Sequence, residues 1–179
     1  MPKSHPVLIF VIDPGGTTGV AEVVANLNQG TVGAIMRRAR AKRNVVTREV
    51  KGDHVQQAFQ LAHLFDTFCN KWVVQKKIVK VGDIHLVIED FHLRQMSADL
   101  MPVRVTCSFE TVCFGALIGR VPDKGDAMYS KQSASEAKGF CSDNMIKKWE
   151  LWWGRSDHER DALRHTASKL DKLLREEGR

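Results

Sequence analysis

Apolar and polar positions along the chain predict a group of strands at the start and alternating strands and helices after it. Residues 7–12 form an unbroken apolar run of strand length, which is typical of a strand buried on both faces. The run ends at Asp13-Pro14-Gly15-Gly16, a strong turn signal. The elements predicted next are strands at residues 19–24 and 31–36, a turn at residues 26–30 between them, and a segment at residues 45–50 that either extends the third strand or belongs to the adjoining loop.

The remainder of the chain alternates helices with strands. Between His54 and Phe68, apolar residues recur at the three-to-four-residue spacing of an amphipathic helix, and Ser156 is placed to cap the last helix. The predicted elements are helices at residues 54–68, 105–118, 133–139, 142–149 and 157–174, and strands at residues 85–88 and 127–130. The order β-β-β-α-β-α-β-α predicts an α/β fold with a mixed five-stranded sheet, helices on both faces, and strands one and four as neighbours.

Length and composition limit the class of protein. The 179 residues suit one domain, expected to span residues 1–179, and the hydrophobic (43%) and charged (27%) fractions are ordinary for a soluble protein. No apolar run approaches the roughly 18–20 residues of a membrane helix, and the N-terminus lacks the apolar core of a signal peptide. A cytoplasmic protein without a membrane partner is therefore expected. The net charge of +6 favours a polyanionic partner, and the four cysteines lack zinc-finger spacing.

Three acidic residues stand where the surrounding pattern predicts burial. Asp13 ends the first strand, Glu89 ends the fourth, and Asp161 lies in the first turns of the final helix. Because strands one and four are expected to be neighbours, their carboxyl ends bring Asp13 and Glu89 together. Close carboxylates repel and are costly to desolvate unless a cation lies between them. Oxygen ligands select hard ions, so Mg²⁺ or Mn²⁺ is expected, and two such ions about 3.5–4 Å apart can promote phosphodiester cleavage.

Each acid also has a purely structural interpretation. Asp often begins a turn, as Asp13 does, a Glu at a strand end can simply enter a loop, and Asp161 places a negative charge near a helix N-terminus. The combination of all three is what favours a metal site. The last helix also carries His158 and His165, which share one face with Asp161 at spacing i, i+3, i+7. Either His can bind a metal or transfer a proton, or it simply faces solvent or the sheet.

Together these residues resemble the RuvC family of Holliday-junction resolvases, in the RNase H-like superfamily. The resemblance rests on an Asp-Pro-Gly turn with a Gly-containing return strand, a Glu after a later apolar strand, and a His three residues before Asp-Ala on the closing helix. It extends to divergent bacteriophage members, which often carry Gln-Ser-x-Ser-x-Ala-Lys, a helix with a Trp, and His-x-x-Asp-Ala-x-x-His. The matching segments are residues 12–20, 86–91, 132–138, Trp149 and residues 158–165.

The resemblance implies an RNase H-like fold and a metal-dependent endonuclease that resolves Holliday junctions or other branched DNA in recombination and repair. It implies that Asp13, Glu89, His158 and Asp161 are the catalytic metal ligands and that the protein acts as a homodimer. For a phage-encoded protein, the place of action would be the host cytoplasm. Residues 90–94 have no clear match to the family's DNA-wedge segment, which leaves the geometry of the substrate open.

Candidate DNA contacts lie in three parts of the sequence. The turn after Asp13 offers glycines that allow positive φ and the close approach of a phosphate, with two hydroxyl donors beside them. A basic cluster follows the second strand, and two lysines flank the Gln-Ser segment, where each can contact phosphate or be solvated surface. These candidates are Thr17 and Thr18; Arg37, Arg38, Arg40, Lys42 and Arg43; and Lys131 and Lys138. Less specific expectations are that Lys76, Lys77 and Lys80 face solvent and that Trp149, Trp152 and Trp153 either stack on bases or belong to the core or a dimer interface.

Other functions fit parts of the same pattern. An RNase H-like nuclease that acts on RNA or on non-junction DNA uses the same carboxylates. A catalytically inactive junction-binding module keeps the fold, although buried unpaired carboxylates would then only destabilise it. A sugar-kinase or actin-like ATPase has a similar Asp-x-Gly-Gly-Thr loop, but such proteins need two domains, for which 179 residues are too few.

Overall fold

A mixed five-stranded sheet organises the computed structural model, which describes residues 6–74, 83–91, 100–117, 127–152 and 155–178. The strands are β1 (Pro6–Asp13), β2 (Thr17–Asn26), β3 (Val45–Lys51), β4 (Ile84–Asp90) and β5 (Ala127–Ser133). They lie in the order β3-β2-β1-β4-β5. The β1–β2 and β2–β3 pairs are antiparallel, and the β1–β4 and β4–β5 pairs are parallel. The mixed sheet and the adjacency of the first and fourth strands are confirmed.

Six α-helices are described, and the capping predicted for the last one is confirmed. Ser156 forms a reciprocal capping box with Glu159, and Ser133 caps its helix through Glu136 N, whereas Ser142 makes no side-chain capping bond. The helices are α1 (Val32–Ala41), α2 (His54–Cys69), α3 (Met101–Leu117), α4 (Ala134–Phe140), α5 (Asp143–Lys148) and α6 (Asp157–Glu176). The predictions for Lys76, Lys77, Lys80, Trp153 and residues 92–94, and the end of the helix predicted to reach residue 118, fall outside the described residues.

One predicted strand is wrong. Residues 32–36 belong to α1, and the third strand is β3, at the segment that the sequence left open between strand and loop. Thr31 caps α1 by accepting a hydrogen bond from Ala34 N. The buried positions of α1 have the spacing i, i+3, i+4, i+7, which continues beyond the six residues that were taken as a strand. These positions are Val32, Ile35, Met36 and Ala39.

Alternating side chains of the central strands fill two cores. On β1, one set faces a layer that includes α2 and α3, and the other set faces a layer that includes α1 and α6. The first set is Leu8, Phe10 and Ile12, and the second is Val7, Ile9 and Val11. Asp13 and Glu89 continue the alternation of the second face, because each stands two residues after a valine that points to it. Among the helices in the described ranges, none combines the length and the apolar composition needed to cross a lipid bilayer.

Candidate active site

Four residues form a row across the carboxyl end of the sheet on the face covered by α6. Gly19 on β2 pairs with Asp13 on β1, and Glu89 on β4 pairs with Gln132 on β5. The pairing of Ile12 with Ile88 places Asp13 beside Glu89. The row follows from strand register alone, and it puts two carboxylates on neighbouring strands, which are spaced about 4.8 Å apart.

Helix α6 crosses this row and places an imidazole next to each carboxylate. His158 Nδ1 lies 3.5 Å from Asp13 Oδ2, and His165 Nε2 lies 3.3 Å from Glu89 Oε2. The two histidines are seven residues apart, which is about 10.5 Å along a helix. The backbone of His158 lies against Gly19 of β2, and the distance from β2 to β4, which carries Glu89, is two strand spacings, about 9.6 Å. The helical repeat and the strand spacing therefore match, and one straight helix reaches both acids.

Gly19 makes the close approach of α6 possible. A Cβ atom at this position would overlap the backbone carbonyl group of His158, which no packed side chain permits. Gly15 also borders His158, whereas Gly16 has nothing within 4 Å of its ideal Cβ. The prediction that these glycines provide positive φ is wrong, since the described glycines with positive φ are at positions 30, 52 and 178. What the chain needs at Gly19 is space for the helix.

Burial makes Asp13 and Glu89 interdependent. Burial and a hydrogen bond with Glu89 raise the pKa of Asp13 to about 9, since two adjacent carboxylates cannot both ionise without a compensating charge. Burial alone would also raise the pKa of Glu89, but hydrogen bonds with His165 and Asp13 lower it to about 2. At neutral pH the pair therefore shares one proton. A divalent cation fits the same donors, because it supplies the positive charge and hard ions prefer carboxylate oxygens.

Asp161 is only three residues from His158 on α6, but it makes different contacts. It is displaced about 60° around α6 from His158, towards α4 and α5. Lys138 Nζ lies 3.1 Å from its Oδ2, and Arg164 forms a salt bridge with its Oδ1. Arg164 also binds Asp143. In the described part of the chain, no three acidic, His or Cys side chains are arranged to hold a metal ion as they stand. The structure thus brings Asp13, Glu89 and His158 together and leaves the carboxylate of Asp161 turned aside.

A buried amide that the sequence analysis missed fixes the turn after Asp13. Gln57 of α2 has no exposed surface, and its Nε2 lies 3.3, 3.2 and 2.9 Å from the carbonyl oxygens of Gly15, Gly16 and Gly52. Its Oε1 accepts a hydrogen bond from the Thr18 hydroxyl, which in turn accepts one from Gly15 N. A glutamine among the apolar positions of α2 was the signal available in the sequence.

Thr18 is corrected from a DNA contact to a support of the turn. Its side chain is fully buried and its hydroxyl is engaged with Gln57, so it presents no donor to a phosphate. Thr17, its neighbour, is partly exposed at the start of β2. Of the two threonines, only Thr17 presents surface beside Asp13.

The predicted basic contacts divide between the two ends of the molecule. Lys138 lies at the acidic row, and its positive charge lowers the pKa of both Asp13 and Glu89. Lys131 pairs with Glu110 of α3, on the opposite face of the sheet. The exposed cluster of α1 and the loop after it lies towards the other end of β1, where two of its members line a pocket with Pro6. The members of this cluster are Arg37, Arg38, Arg40, Lys42 and Arg43.

The predicted tryptophan contacts are structural where they are described. Trp149 is buried, and its Nε1 lies 2.6 Å from the ideal Cβ of Gly33, so α1 packs directly on its ring. Trp152 makes two cation–π contacts, with Lys147 Nζ 4.4 Å and Arg160 Cζ 4.2 Å from its ring centroid. Neither ring is placed at the acidic row.

The fold of the chain is similar to that of a solved structure, although its sequence matches no known family. No family model matches the chain, and no curated protein sequence matches it. A solved structure of T. thermophilus RuvC in complex with a Holliday junction substrate is similar, with 14% identity and a TM-score of 0.52 over 94% of this chain and 96% of that chain. A second Thermus thermophilus RuvC structure aligns over the same shares with 12% identity and a TM-score of 0.49. The chain therefore shares the fold of the RuvC structure that contains the Holliday junction, an α/β fold with a mixed five-stranded sheet, as predicted.

Proposed function

We propose that this protein is a metal-dependent endonuclease that cuts branched DNA, with Holliday junctions as its first candidate substrate. The observation that carries the proposal is the pair formed by the buried Asp13 and the half-buried Glu89 on neighbouring parallel strands. Outside an active site, such a pair only destabilises the protein. The RuvC-type fold supports the choice of reaction, since the similar solved structure contains a Holliday junction substrate.

The proposed metal ligands are Asp13, Glu89, His158 and Asp161, for two Mg²⁺ or Mn²⁺ ions. When bound, these ions supply the charge that activates water and stabilises the leaving oxygen of a phosphodiester. To hold an ion, Asp13 would lose to solvent the proton that it shares with Glu89 and act as a carboxylate ligand. Asp161 has to rotate away from Lys138 and Arg164 to join them, which releases two cationic side chains.

Those two cations are candidates for holding the DNA backbone. Lys138 and Arg164 line an open pocket of about 550 Å³ next to Asp161. Once Asp161 has turned towards the sheet, Lys138 can bind a phosphate, and so can the Arg164 nitrogen that Asp161 leaves, while the other nitrogen stays with Asp143. Thr17 adds a donor on the other side of Asp13. The basic cluster of α1 lies farther from the row, where it can contact only DNA that extends along the protein.

The test is cleavage of a set of substrates by the purified protein. Four-way, Y-shaped and linear DNA and an RNA–DNA hybrid are each incubated with Mg²⁺, Mn²⁺ or EDTA. Paired symmetric nicks in the four-way junction, lost in EDTA, support the proposal. Cutting of the hybrid alone indicates an RNase H-type activity. Metal-independent binding without cutting indicates an inactive junction-binding module and contradicts the proposal.

Symmetric nicking needs two active sites, so we further propose that the protein acts as a homodimer. Sedimentation of the protein with and without a four-way junction measures its mass directly. A complex that contains a single copy and still nicks both strands contradicts the dimer.

A further inference from the structure

His165 occupies a position that the metal ligands proposed above do not explain. The residue is 1% exposed, and its ring contacts side chains from two strands of the sheet. Nε2 is 3.3 Å from Glu89 Oε2, and Nδ1 is 3.2 Å from Gln132 Oε1. Glu89 and Gln132 are direct partners in the β4–β5 register, so the ring bridges two adjacent side chains on neighbouring strands.

The chemistry of the three groups fixes the direction of the contacts. An ionised carboxylate only accepts hydrogen bonds, so Nε2 of His165 carries the proton that it donates to Glu89. The amide of Gln132 has both a donor and an acceptor, and it complements Nδ1 whichever form the ring takes. Gln132 is itself 2% exposed, and its Nε2 has no hydrogen-bond partner among the described residues. Gln132 is therefore dedicated to the ring.

These contacts distinguish His165 from His158. The ring of His158 is partly exposed and touches Asp13 through one nitrogen only. Both nitrogens of His165 are engaged, which leaves none to bind a metal ion. A buried imidazole that donates to a carboxylate ligand instead fixes the orientation of that ligand, as supporting groups around metal sites generally do.

We propose that His165 is a positioning residue, which holds the Glu89 carboxylate in the orientation needed to share a cation with Asp13, while Gln132 fixes the His165 ring. The inference rests on the proposed metal-dependent function. A glutamate side chain has three rotatable bonds, and burial alone does not select the rotamer that faces Asp13. The bond from Nε2 selects it.

Two amide substitutions separate positioning from simple filling of space. In His165→Gln, the amide nitrogen is the same number of bonds from Cα as Nε2 of the imidazole, so a donor to Glu89 is kept. In His165→Asn the amide stands where Nδ1 was, so the contact with Gln132 is kept and the one with Glu89 is lost. Both variants lose the aromatic ring, and similar falls in melting temperature are expected from both.

The measurement is Mn²⁺ affinity by calorimetry in the absence of DNA, together with the Mg²⁺ dependence of junction cleavage. We expect His165→Asn to weaken Mn²⁺ binding by about 10–100-fold and His165→Gln to remain close to the wild type. Gln132→Leu, which frees the ring but leaves it in place, is expected to fall between them. This variant also keeps the test decisive if His165→Asn does not fold.

The outcomes distinguish this inference from the proposal beneath it. If the wild-type protein binds no Mn²⁺ and cuts no substrate, the metal-dependent function is wrong, and the role of His165 falls with it. If the wild type is active and the Asn and Gln variants have equal Mn²⁺ affinities, His165 only fills space and the inference alone is overturned. An unchanged Mn²⁺ affinity in Gln132→Leu overturns the role assigned to Gln132.

Discussion

The two carboxylates that the sheet contributes to the candidate centre differ from the one on α6 in how their charge is balanced. Asp13, which is buried, and Glu89, which is half-buried, lie side by side on the sheet and share a proton. Asp161, from α6, is paired with Lys138 and Arg164 and has its countercharge within the fold. Both carboxyls of the sheet pair can therefore ionise only when a positive charge binds from outside the protein. Asp161, in contrast, has to break its ion pairs with Lys138 and Arg164 to join them. Under the proposed function, a divalent cation would act on these two parts in opposite senses.

The largest difference is expected between variants that remove one carboxylate from the sheet pair and a variant that removes the carboxylate of α6. We expect Asp13→Asn to lower the junction-cleavage rate at least about a thousandfold, equivalent to about 4 kcal/mol of transition-state stabilisation, and Glu89→Gln to do the same. In EDTA, Asp13→Asn should not lower the melting temperature, because an amide replaces a carboxyl that burial disfavours as an anion. Asp161→Asn should lower both the cleavage rate and the melting temperature, since Arg164 is buried and loses a charged partner.

These variants are compared by nicking assays, DNA binding in EDTA and thermal unfolding. Asp171→Asn, farther along α6, is the control and should change none of the three. A wild-type cleavage rate in Asp13→Asn contradicts the metal-site assignment. Equal losses of stability in Asp13→Asn and Asp161→Asn contradict the distinction between the two parts.

Asp161 on α6 can approach Asp13 and Glu89 on the sheet only because α6 packs closely against β2. In Gly19→Ala, the added methyl group meets the backbone of His158, and we expect a loss of about 3 kcal/mol in the free energy of unfolding, together with a loss of cleavage. In the matched variant Gly16→Ala, the methyl group enters open space, and the change should stay within about 0.5 kcal/mol. Urea unfolding of both variants measures the difference, and equal stabilities would show that α6 can shift without cost.

The countercharge of Asp161 is tested through Arg164. Arg164→Met leaves the carboxylates of Asp161 and Asp143 without their shared partner, and we expect a loss of about 2 kcal/mol in the free energy of unfolding. Arg175→Met makes the same substitution on the same helix, at an exposed ion pair with Asp171. The loss there should be below about 0.5 kcal/mol. If urea unfolding gives similar losses for both, Arg164 is not the structural partner of Asp161.

The shared proton of the sheet pair predicts a smaller, pH-dependent effect. The pKa of Asp13 in the folded protein, about 9, lies above its ordinary value of 3.8, so its contribution to stability is complete below pH 3.8 and is lost as the pH rises through 9. The metal-free protein should therefore lose stability between pH 7 and 9, by at most about 1.4 kcal/mol per pH unit. Glu89, with its pKa lowered to about 2, changes stability only at acidic pH.

Melting temperatures in EDTA between pH 7 and 9 test this effect, with Asp13→Asn as the reference that lacks the titrating group. The melting temperature of the wild type should fall increasingly below that of the variant as the pH rises, and Mn²⁺ should remove the decline. Parallel pH profiles for the two proteins would mean that Asp13 is already ionised in the folded state.

The strands that carry the acids were predictable because their patterns are local. The apolar run before Asp13 and the one before Glu89 each define a buried strand, and the capping serine marks the start of α6. The same local logic failed at α1, because residues 31–36 were predicted as a strand. The helical period becomes visible only when the pattern is followed to Ala39.

The polar contacts of the site were not predictable in the same way. The pairing of Asp161 with Lys138 and Arg164, the bridge of His165 and the clamp of Gln57 all join residues from different elements. Their sequence positions show only that a polar residue falls on a buried face. Which partner satisfies it depends on strand register and helix placement, and these are properties of the folded chain.

The seven-residue interval between His158 and His165 has a consequence for how this stretch of chain can vary. Because the interval spans two helical turns and two strands at once, its length is constrained more tightly than its composition. Inserting or deleting a single residue would turn the second imidazole by about 100° and shift it by about 1.5 Å, which removes it from Glu89. Related proteins that keep this centre should therefore accept many substitutions between the two positions and no change in their number.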